Sequence, residues 1–153
     1  MTEILESIPA SKVESEEMVN GEVSLLITTG HDILNARQKT RWFAEQIGFR
    51  GSWPTILSTV ISELARNILE SARHGSILIQ SVRNGNKKGI LIKVTENSGR
   101  GQFIRDQARN NAPWSPLTEI ASVKFRNARR VADGFEIGYD REGDVSLKVL
   151  KWL

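Results

Sequence analysis

The sequence predicts an α/β protein, a two-layer sandwich with helices on one face of a mixed, mostly antiparallel sheet. Three observations lead to this fold class. Two stretches between residues 31 and 73 repeat apolar residues at helical spacing. Shorter segments before and after them alternate apolar and polar residues with the period of a strand. The chain has 153 residues, which is enough for one hydrophobic core and leaves little room for two domains.

The first half of the chain contains one predicted strand followed by two predicted helices. Residues 22–29 alternate as a strand, and the first helix is expected over residues 31–47. Gly48 follows at the position where glycine commonly ends a helix. Ser52, with a proline two residues later, marks the start of the second helix, which is expected to run to about Arg73.

The second half contains four predicted strands and a third helix. Glycine- and asparagine-rich turns separate the segments of period two. The predicted elements are, in order, a strand from Ser76, a hairpin turn at 84–89, a strand through Val94, a long loop at 102–118, a basic helix near 119–133 and two strands at 135–139 and 145–152.

Charge divides the chain into two parts. Residues 1–22 hold six glutamates and one lysine, a net charge of −5, whereas residues 23–153 hold 20 Lys and Arg against 12 Asp and Glu, a net charge of +8. We therefore predict an acidic, flexible leader over residues 1–21 and a single domain over residues 22–153. A spread of basic groups without an interleaved aromatic motif makes nucleic acid an unlikely partner.

Composition excludes several classes of protein. The chain has no cysteine, so a disulfide scaffold, a thiolate zinc site and a cysteine nucleophile are all excluded. No apolar run approaches the roughly 18–20 residues that cross a bilayer. The first residues lack the basic and apolar regions of a signal peptide. The expectation from these features is a cytoplasmic protein with no membrane partner.

The second helix carries the clearest chemical signal. Glu63 and Asn67 are four residues apart, so both lie on one helix face at the edge of the apolar stripe. Asn67 offers a hard oxygen of the kind that Mg²⁺ binds, and Glu63 can orient or deprotonate an attacking hydroxyl. A solvent-exposed helix edge, with Arg66 paired to a neighbour, explains the same spacing.

A second signal follows the strand that ends near Val94. Residues 96–101 read Glu-Asn-Ser-Gly-Arg-Gly, and two glycines two residues apart let a backbone approach a flat or anionic ligand. Many ordinary turns after strands have this composition, so the segment carries little weight by itself.

Taken together and in this order, the segments resemble the GHKL (Bergerat-fold) ATP-binding superfamily. Within it, the chain is most similar to the anti-sigma regulatory serine/threonine kinases of the RsbT type, the switch kinases of bacterial stressosomes. The resemblance covers residues 23–153. Its segments are Ile27-Thr28, Asp32-Ile33, Ala36-Arg37-Gln38, Ile47-Gly48-Phe49, Ile61 to Ile68 (ISELARNI), Lys87-Lys88-Gly89, Glu96 to Gly101 and Lys151-Trp152-Leu153.

The resemblance implies roles for five residues. Glu63 matches the acidic residue that acts on the attacking hydroxyl, and Asn67 matches the Mg²⁺ ligand. Gly99 and Gly101 match the glycines of the family's Asp-x-Gly-x-Gly motif, which lines the nucleotide. Asn97 stands where that motif has the aspartate that binds adenine, so a hydrogen-bond acceptor is retained without its charge. The implied cofactors are ATP and Mg²⁺.

The chain departs from the family in the segment that holds the phosphates. The family has a glycine-rich lid there, whereas no glycine occurs between Gly101 and Gly134. The aligned stretch, Trp114 to Ser122, contains Pro116, which lacks an N–H donor, and Glu119, which repels phosphate. Basic side chains downstream could compensate in part: Lys124, Arg126, Arg129 and Arg130. The implied phosphate-binding lid is therefore degenerate.

Two functions remain open from the sequence. The resemblance implies a partner-switching regulator that binds ATP-Mg and phosphorylates or sequesters a STAS-domain antagonist or scaffold protein. The alternative is a catalytically impaired pseudokinase that acts as a protein-binding module. Retention of Glu63 and Asn67 favours the enzyme, and Asn97 with the missing lid glycines favours the module. A homodimer is left open.

Overall fold

The computed structural model describes residues 3–8, 17–71, 74–96, 125–139 and 144–153. In chain order, the strands and helices are β1 (Glu3–Ile8), β2 (Glu17–Ile27), α1 (Gly30–Ile47), α2 (Trp53–Ser71), β3 (Gly75–Asn84), β4 (Lys87–Glu96), α3 (Arg126–Val131), β5 (Gly134–Tyr139) and β6 (Val145–Trp152).

The strands form one six-stranded sheet in the order β1-β5-β6-β4-β3-β2. Each of the five pairings described is antiparallel, so the expectation of a mixed sheet is corrected to an antiparallel one. In two of these pairs, β3 with β4 and β5 with β6, the strands follow each other through short connections. Such connections join antiparallel strands, whereas parallel strands need a long crossover.

The predicted two-layer architecture is confirmed. One face of the sheet packs against α1 and α2 through alternate side chains of the central strands, and this cluster is the main core. Its fully buried members include Ile61 and Leu64 of α2 above Ile79, Ile92 and Val149 of the sheet. The opposite face carries a small separate cluster of Val82, Leu91 and Leu150, with Trp152 packed against it.

Local sequence explains where α1 begins and ends. Asp32, the third residue of the helix, accepts hydrogen bonds from the backbone N–H groups of Thr28 and Thr29, both at 2.9 Å. These contacts hold the pKa of Asp32 below its ordinary value of 3.8, with the Thr28 N–H as the largest cause. At the other end, Gly48 has φ = 123°, which only glycine adopts easily, and its N–H donates to the carbonyl of Ala44 at 3.2 Å.

The predicted strands of the second half are confirmed to within a residue or two. β3 and β4 pair over ten residues each and are joined by the two-residue turn Gly85-Asn86. Gly85 has φ = 59°, as the first central residue of a tight hairpin turn requires. β5 and β6 match the predicted segments, with β5 beginning one residue earlier, at Gly134.

The prediction of a flexible leader is corrected for part of residues 1–21. Glu3–Ile8 is strand β1, paired with β5 at one edge of the sheet, and β2 begins at Glu17 at the other edge. Edge strands are held by backbone hydrogen bonds and need little apolar alternation, so composition alone did not identify them. The domain boundary at residue 22 stays a prediction.

The third helix is also shorter than expected. Within the described residues, α3 covers six residues, Arg126–Val131, and not residues 119–133. Residues 119–124 lie outside the described part of the chain, as do Ala72 and Arg73 at the predicted end of α2. The described helices include none that is long and apolar enough to cross a membrane.

Candidate functional site

Helix α2 places both predicted helix residues of the site. Glu63 is partly exposed, whereas Asn67, one turn further along, is buried at 8% exposure. The same helix buries Ile61, Leu64 and Ile68 completely in the core. This apolar stripe fixes the rotation of α2, so the face that carries Glu63 and Asn67 has one orientation relative to the sheet.

Glu63 has a structural partner in the third helix. The backbone N–H of Ala128 donates a hydrogen bond to Glu63 Oε1 at 3.2 Å. Ala128 is the third residue of α3, and the N–H groups of a first helical turn have no partner within their own helix. The Glu63 carboxylate therefore supplies the cap that α3 lacks, because Phe125 at the N-cap position makes no side-chain hydrogen bond.

Glu63 also lines a polar cleft of about 210 Å³ between the three helices. Arg37 of α1, Arg66 of α2 and Asn127 of α3 contribute to its walls, and both arginines are exposed. Arg37 and Arg66 make no ion pair with any residue that the structure describes. The cleft is therefore an open, cationic depression with one carboxylate on its wall.

Two hydroxyl groups in the cleft are already satisfied. Thr59 Oγ1 donates to the carbonyl of Thr55 at 3.0 Å, and Ser62 Oγ donates to the carbonyl of Ser58 at 2.9 Å. Side chains that bond the preceding turn of their own helix are held against it. The arginines, Asn127 and Glu63 are thus the polar groups of the cleft that remain for recognition.

Asn67 lies toward the end of the sheet where β4 finishes. Its neighbour Ile68 packs on Gly75, so closely that a Cβ on Gly75 would be 2.8 Å from Ile68 Cγ2. Gly75 pairs with Glu96, the last residue of β4, which is buried at 5% exposure. The segment predicted to line a nucleotide begins at the next residue along the chain. The fold therefore brings the Asn67 turn of α2 and the start of that segment to the same end of the sheet.

Part of the predicted site lies outside the described residues. Asn97, Gly99 and Gly101 belong to this part, as do the lid segment from Trp114 to Ser122 and Lys124. Of the basic side chains expected to compensate for the lid, Arg126 and Arg130 are exposed on α3, and Arg129 is half-buried. The roles assigned to these residues stay predictions.

The protein oxygens of the site suit a metal ion whose other ligands are phosphate oxygens and water. The described residues contain no group of three or more His, Asp and Glu side chains arranged to hold an ion. Mg²⁺ usually takes one or two protein oxygens together with phosphate oxygens and water, and does not need an all-protein cage. The single amide oxygen of Asn67 fits that requirement.

Sequence reasoning identified Glu63 but missed the other polar residues that line its cleft. In the sequence, Arg37 is only part of a segment that carries the resemblance, and Arg66 is only a surface residue that could pair with a neighbour. A signal was present for α2, because Thr59, Glu63 and Arg66 follow the spacing i, i+4 and i+7 of one helix face. No such signal identifies Arg37 or Asn127, which reach the cleft through the packing of different helices.

Comparison with known proteins gives one clear relative. The chain is 30% identical over 135 residues to the serine/threonine-protein kinase RsbT of Bacillus subtilis (strain 168). The match covers 88% of this chain and 99% of the relative, so it includes both the helical layer and the sheet. No protein-family model matches the sequence. Similarity of this extent shows that the chain belongs to the RsbT family of serine/threonine kinases.

Proposed function

We propose that the chain is a GHKL-type regulatory kinase that transfers the γ-phosphoryl group of Mg·ATP to a Ser or Thr of a STAS-domain partner. The observation that carries the proposal is the arrangement on α2. A carboxylate, Glu63, faces an open cleft, and a buried amide, Asn67, lies one turn away toward the end of β4. This arrangement supports an acceptor side at Glu63 and a nucleotide side at Asn67.

On the acceptor side, Glu63 serves as the base for the incoming hydroxyl. Its carboxylate takes the hydroxyl proton as the acceptor oxygen bonds to the γ-phosphorus and the bond to the β-phosphate breaks, which releases ADP. The Ala128 N–H on Oε1 orients the carboxylate, and Oε2 has no hydrogen-bond partner among the described residues. An oriented base with one uncommitted oxygen suits proton transfer from a docked hydroxyl.

The cationic walls of the cleft support a protein acceptor with acidic residues near its Ser or Thr. Arg37 and Arg66 flank Glu63 from two different helices, so they can contact the acceptor segment on both sides. Their charge would also accelerate encounter with an acidic partner, an effect that weakens as salt increases. The approach of the acceptor to Glu63 is the step that these two residues would control.

On the nucleotide side, Asn67 would hold Mg²⁺ through its amide oxygen. The bound ion would neutralise charge on the phosphates. Asn97, Gly99 and Gly101 would line the adenine end of the site, and Lys124, Arg126 or Arg130 would replace some of the missing lid contacts. Loss of the glycine lid predicts weak nucleotide affinity, because each charge-assisted contact contributes roughly 1.5–3 kcal/mol.

A second candidate function is that of a pseudokinase that binds the same partner without phosphorylating it. The hydrogen bond from Ala128 to Glu63 favours this alternative, because it gives Glu63 a structural reason to be present without catalysis. The absence of glycine from residues 102–133 favours it as well. Docking needs only surface shape and charge, whereas phosphoryl transfer needs a positioned γ-phosphate.

Phosphate transfer tests the proposal directly. The purified chain is incubated with Mg²⁺, γ-labelled ATP and the STAS-domain proteins of the same organism, and label on the acceptor is measured. We expect Glu63→Gln to lower the rate at least about 100-fold, the usual contribution of a general base. A glutamine still accepts the Ala128 N–H, so the cap of α3 is kept. Glu70→Gln, the same change at an exposed position on α2, should leave the rate unchanged.

Two outcomes separate the alternatives. No transfer by the unmodified chain, together with stable complex formation with a STAS protein, would establish the binding module. Transfer that is unaffected by Glu63→Gln would remove Glu63 from the reaction. The nucleotide side is tested separately, by calorimetry of ATP binding with and without Mg²⁺. We expect Asn67→Ala to abolish the Mg²⁺-dependent part of the binding while the fold is retained.

A further inference from the structure

A second concave site lies at the opposite end of α2 from Asn67. We name it the tryptophan groove, because Trp53 at the start of α2 and Trp152 at the end of β6 form part of its walls. Its volume is about 380 Å³, and it shares no lining residue with the cleft at Glu63. Fourteen residues of helix separate Trp53 from Asn67, which corresponds to about 21 Å along α2.

Hydrogen bonds hold the walls of the tryptophan groove in place. The carboxylate of Asp133 accepts the Trp152 backbone N–H at 2.7 Å and forms an ion pair with Lys151 at 3.2 Å. Lys151 Nζ in turn lies 4.7 Å from the centre of the Trp53 ring. Trp152 packs directly on Gly89, where a Cβ would be 2.6 Å from the ring. A groove built in this way loses little conformational entropy when it binds a ligand.

The tryptophan groove carries unbalanced positive charge. Its lining side chains include three cations and one carboxylate, a net charge of +2. Lys151 is paired with Asp133, whereas Arg50 and Lys87 are exposed and have no acidic partner among the residues that the structure describes. The two surplus charges come from the α1–α2 connection and from the start of β4, so they approach the groove from different segments.

We propose that the tryptophan groove binds an acidic peptide segment of a partner protein, with one aliphatic side chain between carboxylates. Carboxylates would pair with Arg50 and Lys87, and the aliphatic side chain would pack on Leu153, which is 53% exposed and lies beside the tryptophans in the lining of the groove. An apolar centre containing tryptophan with charged groups at its rim is the usual organisation of a protein–protein contact.

The groove suits a peptide better than a nucleic acid. Single-stranded nucleic acids bind by stacking bases on aromatic faces. A lysine already lies over each ring, Lys151 over Trp53 and Lys87 over Trp152 at 6.0 Å, so a base would have to displace it. The surplus cations are also exposed at the rim, where they can pair with carboxylates on a flexible segment. The proposal does not depend on kinase activity, because Glu63 and Asn67 lie outside the groove.

The test uses a short acidic peptide and the intact chain without nucleotide. The probe is acetyl-Glu-Asp-Leu-Asp-Glu-amide, and binding is followed by NMR through the indole N–H signals of the tryptophans. We expect Trp53 and Trp152 to shift in a salt-dependent manner. Trp42, which is 59% exposed on α1, is an internal control and should not move.

Substitutions at the rim complete the test. Arg50→Gln and Lys87→Gln should each weaken the peptide about threefold, as expected for a partly screened ion pair, and the double variant about tenfold. Lys39→Gln removes one exposed charge from α1 and should have no effect. A neutral probe, acetyl-Gln-Asn-Leu-Asn-Gln-amide, should bind at least tenfold more weakly.

Three results would overturn the proposal. The first is no shift of Trp53 or Trp152 at millimolar peptide. The second is binding that is unchanged in the Arg50→Gln/Lys87→Gln variant. The third is preferential binding of an oligothymidylate at the same residues, which would assign the groove to nucleic acid. Each result leaves the phosphate-transfer measurement on Glu63 unaffected, so the two proposals fail independently.

Discussion

A glycine at each end of the sheet permits a close packing contact, but the element that packs against it differs between the two ends. At one end, the Gly75 end, the missing side chain lets Ile68 of α2 approach β3. At the other, the Gly89 end, it lets Trp152 of β6 lie on β4. The first contact joins the two layers and brings Asn67 toward the end of β4. The second stays within the sheet and forms a wall of the tryptophan groove. Close packing at a glycine therefore positions the Asn67 turn of α2 at one end of the sheet and a wall of the tryptophan groove at the other.

The largest effect is expected from Gly75→Ala. The new Cβ would be 2.6 Å from the carbonyl oxygen of Thr95 and 2.8 Å from Ile68, which is fixed in the core at 1% exposure. Neither neighbour can move freely, so we expect a loss of about 3 kcal/mol in the free energy of unfolding. Urea denaturation measures this loss. Gly30→Ala, where nothing lies within 4 Å, is the control and should not destabilise. An equal loss in both variants would mean that the close contacts at Gly75 are not the cause.

Gly89→Ala should cost less, because one neighbour can move. The Cβ would be 2.6 Å from the Lys151 carbonyl oxygen and from the Trp152 ring, but Trp152 is only partly buried and can rotate outward. We expect a loss of about 1–2 kcal/mol, with an altered indole signal for Trp152. Nucleotide binding should be unchanged in this variant and reduced in Gly75→Ala. If both variants reduced it equally, the two ends would not be functionally separate.

The capping contact of Glu63 predicts a smaller effect on stability. Glu63→Ala removes the acceptor of the Ala128 N–H and should lower the free energy of unfolding by about 1 kcal/mol, a typical value for a helix cap. Glu63→Gln keeps an acceptor oxygen and should be closer to the unmodified chain. The two variants, compared by thermal unfolding, separate the structural contribution of Glu63 from the chemical one. Equal stability of both would mean that α3 does not depend on this contact.

The smallest expected effect is on the pH dependence of the free energy of unfolding. The pKa of Asp32 is lowered by its hydrogen bonds from Thr28 and Thr29, so the charged carboxylate stabilises the fold above pH 3.8. This contribution is lost as the pH falls through the lowered pKa of the folded state. Asp32→Asn should therefore be less stable than the unmodified chain at pH 7, and the difference should shrink as the pH falls below 3.8. Urea midpoints across this range, with Glu70→Gln as control, test the sign. A difference that does not shrink in acid would contradict it.

The prediction from sequence succeeded where local pattern decides the structure. β3, β4, β5 and β6 alternate apolar and polar residues, so their bounds could be predicted closely. The turn at Gly85 and the end of α1 at Gly48 depend on conformations that glycine favours. The face shared by Glu63 and Asn67 follows from helical spacing alone. In each case a few neighbouring residues contain the whole signal.

The features that were missed depend on residues distant in sequence. Strand β1 pairs with β5 across more than 120 residues, and nothing in its own six residues identifies that partner. Arg37 and Asn127 meet at the cleft only because three helices pack together. The tryptophan groove joins segments from the α1–α2 connection, β4 and β6. Such sites depend on tertiary packing, which periodicity does not encode.

The order of strands has a consequence for synthesis on the ribosome. β1 is made first, yet its partner β5 is among the last segments to be translated. At about 5–20 residues per second, β1 waits on the order of ten seconds without the strand it pairs with. β2, α1, α2, β3 and β4 are complete during that interval and can assemble the other edge of the sheet. The β1–β5 pair can therefore join the rest of the sheet only after β6 is made, because β6 links β5 to β4.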